Sequence, residues 1–377
     1  MNLPAGAHQR TWALDVGDTH PASHGPVAFD LRVAASDGRE VITFAEPRIQ
    51  PIHRGVEKLF ESRDYRQALM LADRHDWHSA LGSELGLALT MEAMLGITVP
   101  ERATWLRTLL SELSRAIHHL RWLGETAAVV SPDQIVAVTA RGAREQLIEL
   151  LEEATGGRLH PMAVAPGGLR SDVNDPWLEQ LATTTAAVRR AAIDLAHWAD
   201  RITALVGVGV LPVTDAAGFG ASGPVARASG LGLDLRFDDP YCAYPELIDV
   251  GALTRVIRGA GDAQARMQTL AQELAVSLAC IDLCIARLID SPGPISVRMP
   301  RSVRLPEGTG YGWTENPTGI NGWLIVSRGG PEPYRMKLRT ASFNNAAALS
   351  HLLVGTDVDD LPVTVMSFLL VAGDLGK

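Results

Sequence analysis

The period of the apolar positions changes along the chain. Between residues 11 and 50, apolar and polar positions alternate, as in "VAFDLRVAASDGREVITFAEPRI", and "SDGR" supplies a turn. That pattern predicts an N-terminal β-hairpin. From about residue 56 the period becomes helical. "WHSALGSELGLALTMEAMLG" ends at Gly96, and "PERATWLRTLLSELSRAIHHLRWLG" opens on Pro100 and closes on Gly124. Proline at a helix start and glycine just past its end are the expected punctuation. Further helices are predicted at about 133–155, 176–206, 262–290 and 343–354. Two of them, 176–206 and 262–290, are apolar around much of their circumference, which suits buried members of a bundle. A Gly-rich loop separates these two, and residues 308–340 return to strand and turn character. The fold class expected is mainly α, a helical bundle with small β elements from both ends of the chain. It reads as one domain over 1–377: a hairpin region at 1–55, the bundle at 56–290 with its Gly-rich loop at 207–245, and an α+β region at 291–377.

Composition adds exclusions. The 377 residues are 46% hydrophobic and 20% charged, ordinary for a globular chain, and the net charge is -9. Without a basic block, nucleic acid is not an expected partner. Cys242, Cys280 and Cys284 are the three cysteines. The last two, one helical turn apart without CxxC spacing, read as buried thiols. Residues 1–10 lack a basic-then-apolar leader. The longest apolar windows, such as 361–373 and 202–214, run about a dozen residues against the roughly 20 that span a bilayer. A membrane connection is therefore expected to come through partner subunits.

Candidate chemistry is sparse. His20 and His24 flank Pro21 ahead of a strand. Pro21 works against presentation on one helical face, so two hydrogen-bonding loop histidines compete with a metal site, and are preferred. In "DRHDWH", 73–78, His75, Asp76 and His78 could approach a metal, but no HExxH is present, and a polar helix start explains them equally. The Gly-rich stretch 207–232 has neither a Walker-type loop nor a GxGxxG between strand and helix, so nucleotide binding is not expected. Residue chemistry alone leaves the reaction unnamed.

The order of the motifs is more specific. "HPASHG" (20–25), "PIHRGVEKL" (51–59) and "DRHDW" (73–77) precede "PERATWLRTLLSELSRAIHHLRWLG". "TGGRLHPMAVAPGGL" (155–169), "GVGVLP" (207–212), "SGPVARASG" (222–230), "GDAQAR" (261–266) and "PYRMKLRTASF" (333–343) follow. From about residue 12 to 377 this string closely resembles the D subunit of proton-pumping NADH:quinone oxidoreductase, respiratory complex I, a relative of the [NiFe] hydrogenase large subunit. The resemblance implies the hydrogenase-like fold. The hydrogenases' two CxxC pairs are missing, so a Ni-Fe centre is not expected, and no metal or cofactor is expected on this chain. In the metal's place the resemblance implies a quinone head-group pocket at the junction with a membrane arm.

His24 matches the histidine that the family sets against a quinone carbonyl, a fitting proton donor near neutral pH, with His20 in support. Trp77 takes the place of the family's tyrosine at the head group. Its indole N–H can donate a hydrogen bond but is not a usable acid. Val129, Ala165 and Ile320 stand where the family has aspartate, arginine and glutamate, and the stretch between Pro292 and Gly308 is shorter. These changes describe a divergent paralogue. The implied activity is that of one component of a translocating NADH:quinone oxidoreductase. NADH, FMN and iron–sulfur clusters would lie on partner subunits: an iron–sulfur subunit carrying the terminal cluster, a chain like the complex's C subunit, and membrane-arm subunits. The implied location is peripheral, on the cytoplasmic side of the cell membrane. The alternative is a non-catalytic structural subunit of a complex I-like or hydrogenase-related assembly.

Overall fold

A computed structural model describes residues 10–15, 27–36, 38–49, 53–131 and 134–377. The N-terminal alternation forms three antiparallel strands rather than a two-stranded hairpin: β1 (Arg10–Asp15), β2 (Ala28–Ser36) and β3 (Arg39–Arg48). Phe29, Leu31 and Ile42 turn inward from β2 and β3 and join the main core. Two short helices follow, α1 (Val56–Phe60) and α2 (Tyr65–Ala72), the second opened by a capping box between Asp64 and Gln67. The long helices α3 (Ala80–Leu95), α4 (Glu101–Val130), α5 (Ile135–Thr155), α6 (Asp175–Arg201) and α11 (Ala263–Asp290) match the helical periodicity. α4, α5, α6 and α11 pack as the bundle, with α4 and α11 at its centre.

Three readings of the sequence need correction. Gly124 does not end a helix, because α4 runs on to Val130. A Cβ at Gly124 would stand 2.9 Å from that of Ala140 on α5, so this glycine serves close helix packing. The Gly-rich stretch is not an open loop but carries α7 (Val213–Gly218), α8 (Gly223–Ala228), α9 (Leu235–Asp238) and α10 (Tyr244–Asp249). Prolines at or beside the first turns of α7, α8 and α10 start these pieces, since they leave no helical donor unused. Finally, α11 is long and apolar enough to cross a membrane, contrary to the expectation from short apolar windows. Most of its apolar surface is buried in this fold, against α4 and α6.

A two-stranded turn, β4 (Val164–Ala165) with β5 (Gly168–Leu169), follows α5, and after α11 comes an antiparallel sheet of β6 (Gly308–Asn316), β7 (Gly319–Ser327) and β8 (Arg335–Arg339). α3 lies across β6 and β7, and a second, smaller core forms there around Phe60, Met91 and Trp323. α12 (Ala341–Leu353), α13 (Leu361–Ser367) and α14 (Ala372–Leu375) end the described chain. Cys280 and Cys284 are free, buried thiols inside α11, as expected. The observed fold is the mainly α bundle with small β elements.

Candidate functional site

"DRHDWH" is a loop between α2 and α3, not the solvated start of a helix. His75, Asp76 and His78 are all buried there. Against this loop lies the segment 371–377, and the approach is close enough to require glycine. A Cβ on Gly373 would stand 2.1 Å from the carbonyl oxygen of His75 and 2.4 Å from the ring of Trp77. Asp374, beside it, meets Nδ1 of His75 at 2.6 Å through Oδ1. Its other carboxylate oxygen accepts from Ser342 Oγ at 3.0 Å, and its backbone carbonyl from Thr340 Oγ1 at 2.8 Å. On the far side, His53 Nδ1 donates to the carbonyl of Gly376 at 3.2 Å.

These segments enclose a cavity of about 400 Å³. That falls in the range of small-molecule sites. Its apolar lining comes from Val56, Leu59, Leu71 and the Trp77 indole. Its polar lining comes from Arg54, Arg74 and Lys377 together with His53 and His75. Arg54 donates to the backbone carbonyl of Arg74 at 3.4 Å, and Arg74 Nε lies 3.0 Å from the buried Asp73. Burial lowers the Lys377 amine from its ordinary value. The cavity thus combines an apolar lining with positive charge, which suits a ring that gains electron density.

Asp76, between two cavity-lining residues, accepts from Asn316 Nδ2 at 3.3 Å. Burial, and then the neighbouring Asp374, raise its carboxyl well above the ordinary range. Glu84, beneath the same loop, is likewise pushed up to about 8 by burial, with Asp73 adding to the effect.

Deeper in the bundle lies a charge network that sequence reasoning missed. Arg227 bonds Glu273 and Glu315, each at 2.7 Å, and Arg236 bonds Asp234 at 2.8 Å and Glu112 at 3.3 Å. Arg115, Tyr244 and Ser277 also converge on Glu112. Burial would raise Glu112, yet Arg115 and Arg236 hold it at about 2. Trp122 Nε1 donates to His118 Nε2 at 2.9 Å, which leaves the proton of neutral His118 on Nδ1. His118 then donates to His119 Nδ1 at 3.1 Å, and His119 Nε2 donates to Glu273 at 3.1 Å. Burial lowers both imidazoles from their ordinary value. The hint was in the pattern: Glu112, Arg115, His118 and His119 in "SELSRAIHH" share one face of a helix that is buried around them.

Of the expected site residues, Trp77 lines the cavity, whereas His20 and His24 lie outside the described residues. Val129 is exposed on the last turn of α4, and Ile320 is buried in β7. Ala165 lends its carbonyl to Arg107 at 3.0 Å. None of these three lines the cavity. His53, Arg54, Arg74, His75 and Lys377 were not anticipated as cavity residues. Among the described residues, no group of three or more His, Cys, Asp or Glu converges as a metal site would require.

The fold defines the class first. It is similar over 100% of both chains, with a TM-score of 0.87 and 28% identity, to a solved chain described as "Structure of the membrane-bound sulfane sulfur reductase (MBS), an archaeal respiratory membrane complex". Residues 134–303 and 295–377 match the family described as "Respiratory-chain NADH dehydrogenase, 49 Kd subunit". The chain belongs to that family, the D subunits of NADH-quinone oxidoreductase. It is 46% identical over 372 residues, 97% of this chain and 92% of the relative, to the second NADH-quinone oxidoreductase D subunit of Salinispora tropica. It is 44% identical over 382 residues, 100% of this chain and 98% of the relative, to the first NADH-quinone oxidoreductase D subunit of Streptomyces coelicolor. With the D subunit of Bacillus cereus it shares 32% identity over 375 residues, 96% of this chain and 97% of the relative.

Proposed function

We propose that this chain acts as the D-type component of a membrane-associated quinone oxidoreductase and forms the head-group pocket. The observation that carries the reading is the position of Trp77. The residue that the resemblance sets at the quinone ring lines the cavity of about 400 Å³. In this reading the ring lies against the apolar lining of Val56, Leu59 and Trp77, with one carbonyl toward the cationic side chains. Two electrons arrive from an iron–sulfur cluster on a partner subunit, and two protons complete the quinol. His24 supplies one of them, as the resemblance implies. NADH and FMN belong to other partners. A chain like the complex's C subunit, together with membrane-arm subunits, holds the protein peripherally at the cytoplasmic face of the cell membrane.

A second reading, a structural subunit without turnover, draws support from Trp77, Val129, Ala165 and Ile320, where the family carries polar groups. The test is quinone reduction by the assembled complex. Catalysis predicts that His24→Ala lowers the rate by roughly 10²-fold or more. It also predicts that Trp77→Tyr preserves or raises the rate. Unchanged rates in both variants, with normal assembly, favour the structural reading.

A further inference from the structure

Trp77 and His75 reach the cavity from one loop, but only one of them carries a group suited to giving up a proton. An indole N–H is no usable acid, whereas an imidazole is the commonest general acid–base side chain. His75 is also held as a proton-transferring histidine must be. The 2.6 Å contact to Asp374 is short, as charge-assisted hydrogen bonds are. Asp374 is itself fixed by Ser342 and Thr340, so the carboxylate cannot turn away. With that carboxylate ionised, Nδ1 carries a hydrogen and Nε2 is the position that exchanges. Nε2 is buried and has no hydrogen-bond partner among the described residues. A buried polar atom of that kind calls for an explanation.

The charged and titratable groups around the ring come from every segment of the wall. They are Asp374 and Lys377 from the 371–377 segment, Asp76 and Arg74 from the loop, and His53 and Arg54 ahead of α1. Burial and Asp374 raise the Asp76 carboxyl, and Asp374 is the carboxylate in direct contact with the imidazole.

We propose that His75 is a catalytic proton donor of this pocket and that Asp374 is its positioning residue. The proposal rests on the quinone reading above. As the head group seats, the ring tips about its Nδ1 bond to Asp374 and brings Nε2 to one carbonyl oxygen. Such contacts commonly tighten only in the substrate complex. Two electrons pass from the partner's iron–sulfur cluster into the quinone. The Nε2–H bond of the imidazolium breaks and an O–H bond forms. His75 is left neutral, still donating from Nδ1 to Asp374. The second proton is the one that the proposed function assigns to His24, and His75 regains its own from water before the next turnover. The loop therefore keeps a proton donor although its aromatic position is an indole.

The experiment is performed on the assembled complex, with a water-soluble short-chain quinone and a separate assay of cluster reduction. His75→Asn keeps a donor where Nδ1 stands and removes Nε2. It is expected to lower kcat by roughly 10²-fold with KM within a few-fold, and to abolish the limb of the pH–rate profile that falls as the imidazolium deprotonates. Asp374→Asn should lower kcat and move that limb to lower pH, because the imidazolium loses its counter-charge. Asp374→Glu should recover part of both. Full kcat and an unshifted pH profile in His75→Asn, in a complex whose native form reduces quinone, overturn the proposal and leave the pocket reading intact. A native complex whose cluster is reduced but which neither binds nor reduces quinone overturns both. If His75→Asn does not assemble, the Asp374→Asn profile decides: an unshifted limb overturns the proposal.

Discussion

Glu84 allows the interior of the site to be tested without any substrate. Its Oε2 accepts from the Val164 amide at 3.0 Å, and Oε1 is buried without a partner. Its carboxyl is raised from 4.5 to about 8, first by burial and then by Asp73. In the unfolded chain this group loses its proton near the ordinary value, and in the folded chain it keeps it to about 8. Across that window the folded state binds one more proton. Stability is therefore unaffected below the window, falls as pH rises through it, and levels off above it. One proton corresponds to about 1.4 kcal/mol per pH unit, so the whole window is worth on the order of 5 kcal/mol. Glu84→Gln keeps an acceptor for Val164 and cannot ionise. Urea unfolding of both proteins between pH 5 and 8 should show native and variant converging at the acid end. The native protein should lose ground steadily toward pH 8. Taking the difference between the two cancels other groups, such as the depressed His118. A difference that stays flat with pH, or that favours the native protein as pH rises, would refute the assignment of a buried, protonated carboxyl.

Two further outcomes follow from the packing. Gly373→Ala places a methyl group 2.1 Å from the His75 carbonyl, and overpacking of that kind costs about 1–3 kcal/mol. A lowered urea midpoint checks it, and an unchanged one would mean that the 371–377 segment does not seat on the loop. Arg227→Met strands Glu273 and Glu315 without their guanidinium, a loss of about 3–5 kcal/mol at pH 7. The loss should shrink at pH 5, where a stranded carboxylate is more easily protonated, and a loss below about 1 kcal/mol would mean that the network is hydrated.

Periodicity exposed the long helices because α4, α5, α6 and α11 bury continuous apolar faces, a local property written into spacing. It misjudged Gly124, since a glycine that admits a neighbouring helix looks the same in sequence as one that ends its own. It also passed over α7 to α10, whose few residues carry too little period to register. Trp77 was legible through the ordered motifs around it. His75 was legible as a candidate metal-approaching or helix-start residue but not as a partner of Asp374, 299 positions away. Arg54, Arg74 and Lys377 were missed for the same reason: a cavity wall assembled from three distant segments has no spacing of its own. The charge network was not legible because Arg227, Arg236, Glu273 and Glu315 lie more than 100 positions from Glu112 and Arg115.

The seating of 371–377 against the His75 loop also sets an order of events during synthesis. Every other element of the cavity is translated earlier, and the bundle, the sheets and the loop can form while the chain is still emerging. The wall that carries Gly373, Asp374 and Lys377 leaves the ribosome after all of them. Until then His75 lacks its Asp374 contact and the apolar lining stands open to water. The nascent chain therefore passes through a stage with its scaffold built and its pocket unfinished. A ligand or partner that reads the finished cavity cannot engage before the segment docks, so the molecule carries a built-in report that its folding is complete.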